Sequence, residues 1–185
     1  RLLAHTFGAG SELDLYYAAF RIPDLLFVLF ASVLSIYVLL PFVNRYSEKS
    51  GDSEGAAVLS QVFTLFLVFY VSVAALIALA APLYVQFIFP GFEADSETLV
   101  TLVRVLMLQP FLLGLSSLCG VVTQMNHRFV LYAVSPLLYN VGIIFGIALL
   151  YPTFGLVGLV SGVVLGALGH LLIQVPFVWN SSFSF

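Results

Sequence analysis

The chain has 185 residues, of which 62% are hydrophobic and only 8% charged, with a mean hydropathy of +1.13. Soluble domains carry about 25% charged residues, so a soluble globular fold is excluded and most of the surface must face lipid or other helices. The net charge of −3 comes without any basic patch for nucleic acid, and the single cysteine, Cys119, excludes an intramolecular disulfide and a thiolate metal cluster.

In chain order, residues 1–7 read as the end of a helix stopped by Gly8 and Gly10, with Ser11 as the candidate N-cap of the next. That next helix is expected over about 12–46, kinked at Pro23 and with Pro41 near its end. The stretch N-R-Y-S-E-K-S-G-D-S-E-G follows, the most hydrophilic of the chain and an aqueous loop. A helix almost free of charge is expected over about 56–89, stopped by Pro90-Gly91 and an acidic loop. Another is expected over about 96–124, with Arg104 in its first half and Pro110 in its middle. The turn M-N-H-R leads to a helix over about 129–150, broken by Tyr151-Pro152-Thr153, and a last helix over about 155–177. Each is at or above the roughly 20 residues that a bilayer requires. The expected fold is an all-α polytopic membrane protein, a bundle of five full transmembrane helices plus the tail of a preceding one. An opening at Arg1 in mid-helix and a close in W-N-S-S-F-S-F lead us to expect a piece of a longer protein. No signal peptide is expected, because the first apolar segment runs on into other spans.

Loop charge orients the bundle. Arg45, Lys49 and Arg128 fall on one side, and Glu12, Asp14, Glu93, Asp95 and Glu97 on the other, so the first side is expected to be cytoplasmic. Gly142 and Gly146, and Gly158, Gly162 and Gly166, repeat at a spacing of four, which lets helix backbones approach closely. The stripe reads either as ordinary packing or as a sliding surface in a moving bundle.

The second helix holds the candidate site. At about 100° per residue, Asp14, Arg21, Asp24, Ser32 and Ser35 line one polar stripe on a segment otherwise made of Leu, Phe, Val and Tyr. A charge at the centre of a membrane helix costs roughly 2.5–3.5 kcal/mol, so the stripe is expected to face a bundle interior or a water-filled cavity. Two readings stand side by side: an Arg21–Asp24 ion pair that pins the helix to a neighbour, and a hydrated cavity for a polar or anionic head group. Arg104 reads either as a side chain snorkelling to the outer interface or as a second cavity cation. Catalytic patterns are absent from the sequence. His5, His127 and His170 share no ligand spacing, no glycine-rich phosphate loop follows a strand, and no serine sits in a nucleophile elbow. A membrane enzyme, a resident metal and a cofactor are therefore not expected. Asn180-Ser181-Ser182 fits a glycosylation sequon, a pattern frequent by chance.

Three stretches together resemble one family: F-G-A-G-S-E-L-D-L-Y-Y-A-A-F-R-I-P-D-L-L at Phe7–Leu26, R-V-L-M-L-Q-P-F-L-L-G-L-S-S-L at Arg104–Leu118, and N-H-R-F-V-L-Y-A-V-S-P-L-L-Y-N-V-G-I-I-F-G at Asn126–Gly146. In order and spacing they resemble the MurJ/MviN lipid II flippases of the multidrug/oligosaccharidyl-lipid/polysaccharide exporter superfamily. The resemblance implies two lobes of six helices around a central cationic cavity, alternating between inward-open and outward-open states. Residues 1–178 would be most of the amino-terminal lobe, with an incomplete first helix, and residues 179–185 a truncated tail. The implied partners are lipid II, an undecaprenyl-pyrophosphate-linked glycan, together with membrane lipids and the carboxy-terminal lobe. The implied location is the bacterial inner membrane. Asp14 matches the family's acidic residue at the start of the second helix, and Arg21 its basic residue before Ile22-Pro23. Asp24 replaces a common Asn. Phe27 and Val28 stand where the family usually has a pair of arginines, and Ser32-Val33 where it has Glu-Gly. These departures leave an exporter of another lipid-linked glycan or amphiphile, and a non-transporting membrane scaffold, as alternatives to a lipid II flippase.

Overall fold

The structure, a computed structural model, describes residues 6–8, 10–33, 39, 41–45 and 52–179, with the side chains of 31–33, 52–53 and 56 left out. All regular structure among the described residues is helical. The helices that can be bounded among the described residues are, in order, α1 Ser11–Val33, α2 Asp52–Ile88, α3 Ser96–Leu106, α4 Leu108–Met125, α5 Phe129–Phe145, α6 Tyr151–Leu172 and α7 Val175–Trp179; a π-helical turn over Gly146–Leu150 joins α5 to α6. Residues 41–45 are helical as well. His5, Ser35, Lys49 and the sequon at Asn180 lie outside the described residues. Among the described residues, three stretches are long and apolar enough to cross a membrane: Ala57–Ile88, Ser96–Met125 and Phe129–Trp179.

The helix ends follow local chemistry. The carbonyl of Gly10 accepts the amides of Leu13 and Asp14 at 3.0 and 3.3 Å, so Gly10 caps α1 and Ser11 is already its first residue, one position away from the expected cap. After α2, Phe92 N–H donates to the Phe89 carbonyl at 3.3 Å across Pro90 and Gly91, and Gly91 has φ 103°. Proline followed by a left-handed glycine is the pattern of a type II turn.

The expected helix over 96–124 is two helices meeting at Met107. Pro110 has no N–H to give to the carbonyl of Leu106, and the ladder opens there. Tyr70 of α2 enters the opening: its hydroxyl donates to the Met107 carbonyl at 2.6 Å and lies against the Phe111 amide. A side chain set into the backbone ladder is a recognised cause of a helix break. Together α3 and α4 form the central post of the bundle. Leu99, Leu102, Val103, Leu106, Leu118 and Val121 are all fully buried, and α3 packs against α1, α2 and α6. Phe30, Phe66, Tyr70 and Phe111 join α1, α2 and α4 through ring contacts at 5.1–6.2 Å. Phe66 presses on Gly114, where a side chain would displace its ring.

The closest helix pair is α5 with α6. Gly142 meets Gly166 and Gly146 meets Gly162, backbone against backbone, and a Cβ at any of the four would overlap the opposite main chain. The expected break at Tyr151-Pro152 is spread over two features. Pro152 removes the N–H that would close on Ala148, and the chain widens into the π turn just before it. Gly155, inside α6, has φ 58° and ψ −145°, a conformation open only to glycine, so the long run of α6 starts after it.

Candidate functional site

Helix α1 turns Leu15, Tyr16, Ala18, Ala19, Pro23 and Leu26 into the bundle, all of them buried. The opposite face is exposed and carries Asp14, Arg21 and Asp24, interleaved with Tyr17, Leu25, Val28 and Leu29. The three charged residues of the stripe are therefore brought to one exposed face, with Asp24 at its edge toward α5. Ser32 has its backbone in α1 at the register of Asp14, and its side chain is outside the described atoms. Among the described residues Arg21 forms no ion pair or hydrogen bond, with Asp24 or with any neighbour. The α1 face is thus not held by a local Arg21–Asp24 pair.

At the edge of this face lies a polar cluster that the sequence reading missed. The neutral phenols of Tyr16 and of Tyr139 in α5 lie within electrostatic range of the Asp24 carboxylate. Tyr139 accepts a hydrogen bond from the Gln109 Nε2 of α4 at 3.1 Å. Gln109 is only 4% exposed, and its Oε1 is buried without a partner among the described residues. Three helices thus contribute a carboxylate, two phenols and an amide with a spare acceptor. The signal in the sequence was slight: a single Gln before Pro110 and a Tyr-Asn pair inside an apolar helix.

Arg104 stands elsewhere. Its Nε donates to the carbonyl of Ala78 in α2 at 2.9 Å. Ala78 is four residues before Pro82, so the guanidinium supplies the hydrogen bond that the proline cannot make. The groove beside Arg104 is lined by Pro82, Gln86, Ser96, Glu97, Val100 and Thr101, with no residue of α1 among them. His170 belongs to a helix contact: its Nδ1 is 2.7 Å from the Ser116 Oγ of α4, and Gln174 Nε2 donates to the same hydroxyl at 2.6 Å. Both Ser116 and Gln174 are fully buried, so this network ties α4 to the ends of α6 and α7. At the opposite end Tyr151 donates to Glu12 Oε2 at 2.5 Å and its ring packs edge-on to Phe7 at 4.5 Å, which fastens the start of α1 to the start of α6.

Apolar helices around a buried post, with charge concentrated on one helix face, define an all-helical membrane protein. A protein-family model described as the lipid II flippase MurJ matches residues 3–185. The chain belongs to the MurJ family. It is 27% identical to the probable lipid II flippase MurJ of Buchnera aphidicola subsp. Acyrthosiphon pisum over 97% of its own length and 36% of the relative's. It is 26% identical to the lipid II flippase MurJ of Burkholderia cenocepacia over 95% of its length and 35% of that protein's. With the probable lipid II flippase MurJ of Treponema pallidum the identity is 27% over 96% and 35%. The chain thus spans about a third of the length of these curated relatives.

Proposed function

We propose that this chain is the amino-terminal lobe of a lipid II flippase of the bacterial inner membrane, working by alternating access with no covalent step. Its five spans would be the one that begins with α1, then α2, α3 with α4, α5 with the π turn, and α6. The observation that carries the reading is the charged face of α1, on which Asp14, Arg21 and Asp24 are exposed together. Charges on a membrane helix are retained where they meet water or a polar cargo. In this reading the face lines a cavity shared with a carboxy-terminal lobe. Arg21 attracts the pyrophosphate of the cargo, and Asp14 and Asp24 hold a coupling cation, with Ser32 further along the same line. Arg104 takes its interfacial reading, because its guanidinium is bound to α2.

A second reading, an exporter of a different lipid-linked glycan or amphiphile, has one observation in its favour. Val28 is 60% exposed on the same face, where the resemblance leads one to expect an arginine. Cells depleted of their own lipid II flippase separate the two. Growth on expression of the protein that carries this chain, abolished by Arg21→Gln, supports lipid II; normal protein levels without growth support the other cargo.

A further inference from the structure

We infer that the groove between α2 and α3 seats the head group of one aminophospholipid of the phosphatidylethanolamine type. The groove has a volume of about 450 Å³ and is lined by Pro82, Gln86, Glu97, Thr101 and Arg104, with Ser96 and Val100 at its side. Its two charges have opposite signs and a fixed order. Glu97 is in the first turn of α3, beside the exposed loop that follows α2. Arg104 is seven residues further on, about 10 Å along the axis and within about 20° on the helix face. The acid thus lies at the aqueous end and the guanidinium deeper.

The guanidinium is also only partly used. Its Nε is engaged with the Ala78 carbonyl at 2.9 Å, which fixes its plane, while its two Nη groups have no partner among the described residues. Tyr84, on α2 within range of the Arg104 charge, keeps its hydroxyl buried and unpartnered as well. Guanidinium donors left open at a lipid-facing groove need an acceptor, and a phosphate matches their planar geometry with two parallel bonds. A purely anionic head group would bring its charge close to Glu97. A zwitterionic one places phosphate on Arg104 and an ammonium, which has N–H groups to donate, on Glu97. A choline head group has the charge without the donors. The arrangement therefore selects a primary amine above a phosphodiester, in the order a bilayer presents them.

The test is native mass spectrometry of the purified protein, offered phosphatidylethanolamine, phosphatidylglycerol and phosphatidylcholine with matched acyl chains. Arg104→Gln alone would also strand the Ala78 carbonyl. It is therefore made together with Pro82→Ala, which restores an N–H to that carbonyl. Pro82→Ala alone is the reference, and the double variant is expected to retain phosphatidylethanolamine at least about fivefold less than that reference, with the same melting temperature. Glu97→Gln is expected to shift the preference toward phosphatidylglycerol. The inference is overturned if wild type retains phosphatidylglycerol or phosphatidylcholine as well as phosphatidylethanolamine, or if the double variant retains phosphatidylethanolamine as wild type does. Equal competition by free phosphoethanolamine also overturns it, since the groove would then bind a soluble oxyanion rather than a lipid.

Discussion

Two faces of the bundle are exposed to the same extent and could hardly differ more in chemistry. On α2, Leu65, Phe69, Leu76, Leu79, Leu83 and Phe87 are 62–85% exposed, and no Asp, Glu, Lys or Arg occurs between Ala57 and Ile88. On α1, Leu25, Val28 and Leu29 are 60–65% exposed, yet Asp14, Arg21 and Asp24 share their face. Exposure alone does not say what solvent a residue meets. In a membrane bundle it has two meanings, and charge separates them: the α2 face is suited to lipid, the α1 face to water and a polar cargo.

The comparison can be broken most sharply by exchanging charge between the faces. Leu76→Arg on α2 should raise the free energy of membrane insertion by about 2.5–3.5 kcal/mol, whereas Val28→Arg on α1 should be tolerated; a glycosylation-based insertion reporter reads both. Next comes the platform that carries the two faces. Gly162→Val drives a side chain into the Gly146 backbone and should destabilise the purified protein by about 2–3 kcal/mol. Gly169→Ala, whose Cβ would meet only Leu138 at 3.6 Å, should leave the melting temperature unchanged. On the α1 face, Arg21→Gln should lower flipping in reconstituted vesicles at least about tenfold, a loss of about 1.4 kcal/mol in the transition state. Its thermal stability should stay within about 0.5 kcal/mol of wild type, since Arg21 has no partner among the described residues. The α2 stitch should matter less: Tyr70→Phe leaves the Met107 carbonyl without its 2.6 Å donor and should cost about 0.6 kcal/mol in a denaturation series.

The sequence carried the local part of this picture. Apolar runs, Pro90-Gly91 and the M-N-H-R turn set the limits of the helices on either side of them to within a few residues, and the 100° rotation gathered Asp14, Arg21 and Asp24 on one face; the expected end of the 12–46 helix lies outside the described residues. What escaped depends on contacts between helices. Pro110 is visible in the sequence, but the break at Met107 also needs Tyr70, which arrives from another helix. Arg104 reads as an isolated cation until antiparallel packing brings it to Ala78, the carbonyl orphaned by Pro82. Tyr16, Gln109 and Tyr139 are ordinary residues one at a time and form a polar cluster only once α1, α4 and α5 are in place. The glycine stripe marked a close contact, and only the paired helices reveal that Gly142 and Gly146 are its other half.

The central claim is that the charged face of α1 meets water. It is tested most directly by single cysteines at Asp24 and, on α2, at Leu76, in a background where the buried Cys119 is replaced by Ala. Whole cells and inverted membrane vesicles are treated in parallel with a membrane-impermeant, charged maleimide, so that water on either side is sampled, and labelling is read by mass. The account predicts that Asp24→Cys is labelled and Leu76→Cys is not; an unreactive cysteine at 24, in a protein that reaches the membrane at normal levels, would contradict it.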